Sequence, residues 1–135
     1  MAAITRIDVR IITGNRSGAG TDGEVYIGIC GREFYLDSAV DDFEQGSDRI
    51  YTMGDGANIN FAVYNTPRSP QLDTVDLDRF PKYIRLEPTG SNPEWNLEEV
   101  TVTVNPGSGQ VTYRALGGNL NLWLGQKYGK FCYLK

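Results

Sequence analysis

Histidine is absent from this sequence, and that gap excludes a good deal of chemistry. Ser-His-Asp and Cys-His nucleophiles need an imidazole, as do histidine-held zinc and iron centres. Cysteine occurs only at Cys30 and Cys132, too few for a disulfide scaffold. Each sits in an apolar run, the setting of a buried free thiol; if the two pair, a C-terminal strand lies beside the second strand. No apolar run approaches the roughly 20 residues of a membrane-spanning helix. The opening Met1-Ala2-Ala3-Ile4-Thr5-Arg6 lacks the basic flank and apolar core of a signal peptide, so a cytoplasmic location is expected. Lysine and arginine form no cluster, and the net charge is −4. Nucleic acid is therefore not an expected partner, because its binders displace counterions with grouped cations. The same charge weakens direct attraction to anionic lipid, unless a bridging cation reverses it.

What the chain does have is turn formers, with 16 glycines and 6 prolines among 135 residues. That punctuation suits an all-β chain better than a helical bundle. The length supports one domain, 1–135, with one core. A hydrophobic content of 40% and a charged content of 22% are ordinary for a globular chain. Over residues 4–13, Ile7, Val9 and Ile11 share one parity against Arg6, Asp8 and Arg10, a strand with one buried face. Val25, Ile27 and Ile29 alternate likewise with Glu24, Tyr26 and Gly28. Gly31-Arg32 then links tightly into Glu33-Phe34-Tyr35-Leu36, a hairpin. Further strands are expected over 49–53, 58–64 (where Ile59, Phe61 and Val63 alternate), 81–88, 95–104 and 111–115. Residues 120–124 form an apolar run, and 131–134 adds a last edge strand. Residues 72–80 read either as a short helical turn or as a ragged strand. The spacing is that of a two-sheet antiparallel β-sandwich of about eight strands.

The stretch with most chemical character is Gly18-Ala19-Gly20-Thr21-Asp22-Gly23. Glycine lets the chain bring its carbonyls close together, and Thr21 and Asp22 add oxygens, the ligands a hard cation prefers. It is not a phosphate loop, since no Gly-Lys-Ser/Thr follows and the next element is a strand. Asn15-Arg16-Ser17 fits the glycosylation pattern, but without a signal peptide it reads as a polar turn. A second loop, Asp37-Ser38-Ala39-Val40-Asp41-Asp42, is acidic. Trp95, at the start of a valine-rich strand, and Trp123 read as core or sheet-edge residues rather than membrane wedges. Val40 is the only apolar residue this pattern puts on a loop tip, and one valine contributes at most about 2 kcal/mol. The carboxylates cluster on one loop instead of facing across a cleft, with no aromatic saccharide platform beside them. Glycosidase chemistry is not expected, nor is any other enzyme activity.

Gly18-Ala19-Gly20-Thr21-Asp22 followed by Val25-Tyr26-Ile27 resembles the first loop of the PLAT domain. That domain is the β-sandwich shared by lipoxygenases, polycystin-type proteins and clostridial alpha-toxin. Phe43-Glu44-Gln45-Gly46-Ser47-Asp48 resembles the family segment leading into its third or fourth strand, and Tyr83-Ile84-Arg85-Leu86 the strand before its third loop. Pro93-Glu94-Trp95-Asn96-Leu97-Glu98-Glu99-Val100-Thr101-Val102 is similar to the family's Pro-x-Trp-x-Leu-x-x-Val-x-Val. Asn121-Leu122-Trp123-Leu124 is similar to the Asn-x-Trp-Leu near its C-terminus. Order and spacing match over nearly the whole chain, so no catalytic domain is expected within these residues. The sequence departs from the family in a longer segment 58–80, in Gly18 where some calcium-binding members place aspartate, and around Asn92-Pro93, where a carboxylate stands in calcium-loaded forms.

The resemblance implies two loops converging at one end of the sandwich around calcium. Asp37, Asp41 and Asp42 would give carboxylates, and Gly18, Gly20 and Val40 carbonyls. Thr21 and Asp22 would cap the site, with Asn92 leaning in from the third loop. Carboxylates gathered in a small volume repel one another, which a divalent cation relieves. The other reading of the same residues is a solvated acidic loop that holds nothing. The function implied is a non-catalytic binding module that docks on a membrane or lipid surface in a calcium-dependent way. The alternative is a module that binds a protein partner through a sheet face or edge, with its metal structural or absent.

Overall fold

The computed structural model describes residues 1–115 and 121–135. Its strands are β1 (Arg6–Thr13), β2 (Glu24–Ile29), β3 (Arg32–Tyr35), β4 (Asp48–Gly54), β5 (Tyr83–Glu87), β6 (Trp95–Val104), β7 (Val111–Arg114), β8 (Leu122–Leu124) and β9 (Phe131–Tyr133). One sheet runs β4-β1-β6-β7, with β8 beside the other end of β6; the second runs β3-β2-β5-β9. Every pairing between them is antiparallel. This is the two-sheet antiparallel sandwich expected, with nine strands among the described residues where the spacing indicates about eight.

Period-two alternation builds the core. Ile7, Val9 and Ile11 on β1 face Val104, Val102 and Val100 on β6 and are sealed from solvent. From the other sheet Val25, Ile27, Phe34, Ile84 and Leu86 close onto them in one cluster. Because the side-chain period is two, a slip of one residue would turn all of these outward, so burial fixes the register. Trp95 is fully buried, with its indole N–H donating to Thr13 Oγ1 at 3.0 Å and its ring edge-on to Phe43. Trp123 is half-buried on short β8, beside Tyr128. Both fall where core and sheet-edge roles put them.

Several local expectations need correction. The β2–β3 hairpin turns on Cys30 and Gly31, at φ 53° and 77°, one residue earlier than the Gly31-Arg32 link. Two consecutive positive φ values give the turn whose twist matches the flanking strands. Cys30 and Cys132 are buried free thiols, as their apolar runs suggest; the pairing that would have set the last strand beside the second does not form, and β5 stands between β2 and β9. Of the two readings of 72–80, the helical one holds: a 3₁₀ turn at Thr74–Leu77, capped by Asp73, whose side chain accepts from Val75 N. Leu120, read with the late apolar run, lies outside the described residues.

Residues 58–64 are not a strand. Ile59 is buried, but Phe61 and Val63 are exposed, and Tyr64 N closes a turn on Phe61 O at 3.0 Å. The flanking asparagines explain this. Asn58 Nδ2 donates to Ile50 O, and its Oδ1 accepts from Thr52 N along the free edge of β4. Asn65 Oδ1 accepts from Tyr35 N at 2.8 Å along the edge of β3, while its Nδ2 donates to Phe61 O at 3.0 Å. Two side chains thus cover edges that would otherwise offer unpaired backbone to other chains. Asn65→Ala strands the half-buried Tyr35 N–H, and is expected to cost about 1–3 kcal/mol. A lower urea midpoint checks this; an unchanged midpoint contradicts it. On the opposite side of the sandwich, Arg114 and Lys135 exchange backbone hydrogen bonds of 2.6 and 2.7 Å, tying β7 to the chain end just beyond β9.

Candidate functional site: an acidic loop end

β1 finishes, and β2, β4 and β6 begin, at the same end of the sandwich, so the loops 14–23, 36–47 and 88–94 meet there. Backbone hydrogen bonds join them: Thr21 N to Phe43 O at 3.1 Å, and Asp22 N to Asn92 O at 2.8 Å. The Thr21 hydroxyl lies 3.0 Å from Asn92 O and 3.1 Å from Pro93 O. This packing favours Gly20, since a Cβ there would stand 3.0 Å from Gln45 N and 3.1 Å from Phe43 O, tighter than ordinary contact. Local glycine freedom therefore becomes a tertiary joint between loops.

Two adjoining hollows result, of about 180 and 200 Å³, sharing Thr21 and Asp22. Asp37, Val40, Asp41 and Asp42 border the first. Gly18, Gly20 and Asn92 border the second, together with Glu44 and Gln45. All eight residues of the expected ligand set lie at this end, but divided between two hollows. Among the described residues no three His, Cys, Asp or Glu side chains form one metal-holding cluster.

The reason lies in what each carboxylate does. Asp42 accepts from Ser38 N at 2.8 Å, Ser38 Oγ at 2.6 Å and the Tyr51 hydroxyl at 3.0 Å. It braces its own loop, and burial together with the Asp42 charge pushes the Tyr51 phenol well up. Asp37 accepts from Asn60 Nδ2 at 2.9 Å, and Asp22 from Ser91 Oγ and Asn92 Nδ2 at 3.2 and 3.3 Å. Asp41 instead stands against Glu44. Their hydrogen bond and like charge, with Asp22 adding to the repulsion, raise the Glu44 carboxyl above its ordinary value. Glu44 was hidden in the sequence inside the Phe43–Asp48 motif; its spacing three residues beyond Asp41 is the one signal that could have found it. Among the described residues none of the ion pairs involves Asp22, Asp37, Asp41, Asp42 or Glu44. The rim offers oxygen donors only, the set a hard cation takes.

Beside this rim stands an apolar loop. Asn60 N donates to Asp37 O at 2.8 Å, and Asn60 Nδ2 also reaches Ser38 O at 2.9 Å. That anchor carries Phe61, Val63 and Tyr64, which are 62%, 79% and 78% exposed, while Val40 on the acidic loop is 52% exposed. Val40 is thus not the only apolar residue at the loop end. The alternation that suggests a strand assigns Phe61 and Val63 to a buried face, whereas the turn holds them in solvent.

Comparison with known proteins agrees with this fold. The family model described as PLAT/LH2 domain matches residues 7–128. No curated protein matches the chain significantly. Among solved structures, an alpha-toxin from Clostridium absonum is similar at 25% identity and a TM-score of 0.67, over 98% of this chain and 32% of the toxin. Clostridium perfringens alpha-toxin from an avian strain aligns at 22% identity and a TM-score of 0.65, over 98% and 31% of the two chains. A coral 8R-lipoxygenase, described as activated by calcium through a C2-like domain, aligns at 22% identity and a TM-score of 0.64, over 96% and 16%. The chain therefore spans under a third of the toxins' length and about a sixth of the lipoxygenase's. With most of its length matched by one family model, the chain belongs to the PLAT/LH2 domain family.

Proposed function

We propose that the chain is a non-catalytic binding module that docks on a membrane surface through its acidic loop end, with calcium bridging protein oxygens and lipid headgroups. The observation that carries this reading is one juxtaposition. At the loop end, where Asp22, Asp37, Asp41 and Glu44 make no ion pair among the described residues, Asn60 is hydrogen-bonded to Asp37 and Ser38 and its loop holds Phe61, Val63 and Tyr64 in solvent. An acidic rim alone would be repelled by anionic lipid; a bound divalent cation reverses that sign and lets the apolar side chains approach. Membership of the PLAT/LH2 family and the calcium activation described for the coral lipoxygenase lend support.

On this reading Asp22, Asp37 and Asp41 supply carboxylates in the first hollow, with the Thr21 hydroxyl and the Val40 carbonyl. Gly18 and Gly20 carbonyls, Glu44 and Asn92 serve the second. Asp42 remains the brace that positions the loop. Calcium would supply positive charge and open coordination positions for phosphate oxygens.

Calorimetric titration with calcium tests the site. Wild-type protein is expected to bind within a micromolar to millimolar range, and Asp41→Asn/Glu44→Gln to bind weaker by about tenfold or more. Both residues are exposed, so the variant keeps its fold. Equal heats from the two proteins, or none from either, overturn the assignment.

A further inference from the structure

We infer that the outward face of the β3-β2-β5-β9 sheet is a docking surface for a protein partner that presents an apolar patch bordered by lysine or arginine. This inference is independent of calcium and of the loop end. Register sets the face. One row across the four strands reads Tyr35, Tyr26, Arg85, Phe131, and the next Glu33, Gly28, Tyr83, Tyr133. The alternate residues, such as Ile27, Phe34, Ile84 and Cys132, point into the core. Five of these eight outward positions are aromatic, on a face where a solvated strand would be polar. Tyrosine, phenylalanine and arginine are the types enriched at the centres of protein interfaces.

The aromatics are held in place before any partner arrives. A Cβ on Gly28 would fall 2.2 Å from the Tyr83 ring, so that ring lies over the glycine. The Tyr83 hydroxyl donates to Glu33 at 2.6 Å, and the Tyr26 hydroxyl to Glu24 at 2.6 Å. The Arg85 guanidinium sits 4.3 Å from the Tyr26 ring centroid. It donates twice to Glu33, at 2.9 and 2.8 Å, and once to Glu87 at 2.9 Å. Rings fixed in this way lose little freedom on binding.

Charge and ring geometry select the occupant. On the four strands the outward charges are Glu24, Glu33 and Glu87 against Arg85, which is already engaged with two of them. The face is therefore acidic on a chain of net charge −4. A second copy and an anionic bilayer would be repelled, whereas a cationic border would be complementary. Tyr83 meets Phe131 at 69° and Tyr133 at 83°, so the rings form no coplanar platform for a sugar. Phe131 and Tyr133, 50% and 60% exposed at the sheet margin, give the partner its apolar purchase.

The test is an NMR titration of the ¹⁵N-labelled chain, without calcium, with an amphipathic leucine–lysine helical peptide and its leucine–glutamate counterpart. Amides of β2, β5 and β9 are expected to shift with the lysine peptide alone, less so at high salt. Phe131→Ala/Tyr133→Ala is expected to weaken that binding about tenfold, with an unchanged melting curve because both side chains are largely exposed. A second variant, Glu87→Lys, is expected to weaken the lysine peptide and admit the glutamate one. Shifts confined to loops 14–23 and 36–47, equal response to both peptides, or affinity untouched by both variants overturn the inference. So do shifts of the same face by a soluble oligosaccharide, or a dimer in sedimentation that the double variant dissolves.

Discussion

Trp95→Ala is expected to remove about 3–5 kcal/mol of stability, against a total of about 5–15 kcal/mol for a domain of this kind. The indole is fully buried at the start of the longest strand. It touches Phe43, which in turn stacks on Tyr51, so one side chain joins β6, β4 and the acidic loop. Truncation opens a cavity beneath the loop end and leaves the buried Thr13 hydroxyl without its indole donor. Both effects act together, and neither can be relieved by water without wetting the core. Guanidinium unfolding checks this: the midpoint is expected to fall steeply, while Trp123→Ala, half-exposed on β8, changes it far less. Similar midpoints for the two variants would contradict the central position given to Trp95.

Phe61→Ala/Val63→Ala/Tyr64→Ala carries the second large effect, on vesicle association. Each side chain contributes about 1 kcal/mol if half its apolar area leaves water on docking. Three together give about 3 kcal/mol, or about a hundredfold in affinity. The loop backbone is fixed by Asn60 and Asn65, not by these side chains. Stability and the calcium heats are therefore expected to persist while pelleting with vesicles is lost. Undiminished pelleting by the triple variant would show that the apolar loop is not the part that enters the lipid.

The strands legible in the sequence are those with one buried face. β1, the first four residues of β2 and the valines of β6 advertise themselves because alternation and burial coincide there. Residues 58–64 carry the same alternation without being a strand, because side chains of Asn58 and Asn65 take up the neighbouring edges. Hydrogen bonding across the fold has no period to read. The Gly18–Asp22 and 37–42 loops could be paired through family resemblance, but their division into two hollows could not. Asp42 looks like any other carboxylate until Ser38 and Tyr51 are seen around it. Glu44 gains its meaning only from Asp41 and Asp22. The order β3-β2-β5-β9 is equally non-local, and with it the aromatic face that crosses four separate stretches of sequence.

The measurement that tests the central claim most directly is sedimentation of wild-type protein with anionic phospholipid vesicles, with calcium and then with excess chelator. The account predicts that the protein pellets with calcium and returns to the supernatant when chelator is added. Pelleting that ignores the chelator, or protein that stays in solution at millimolar calcium, would contradict it.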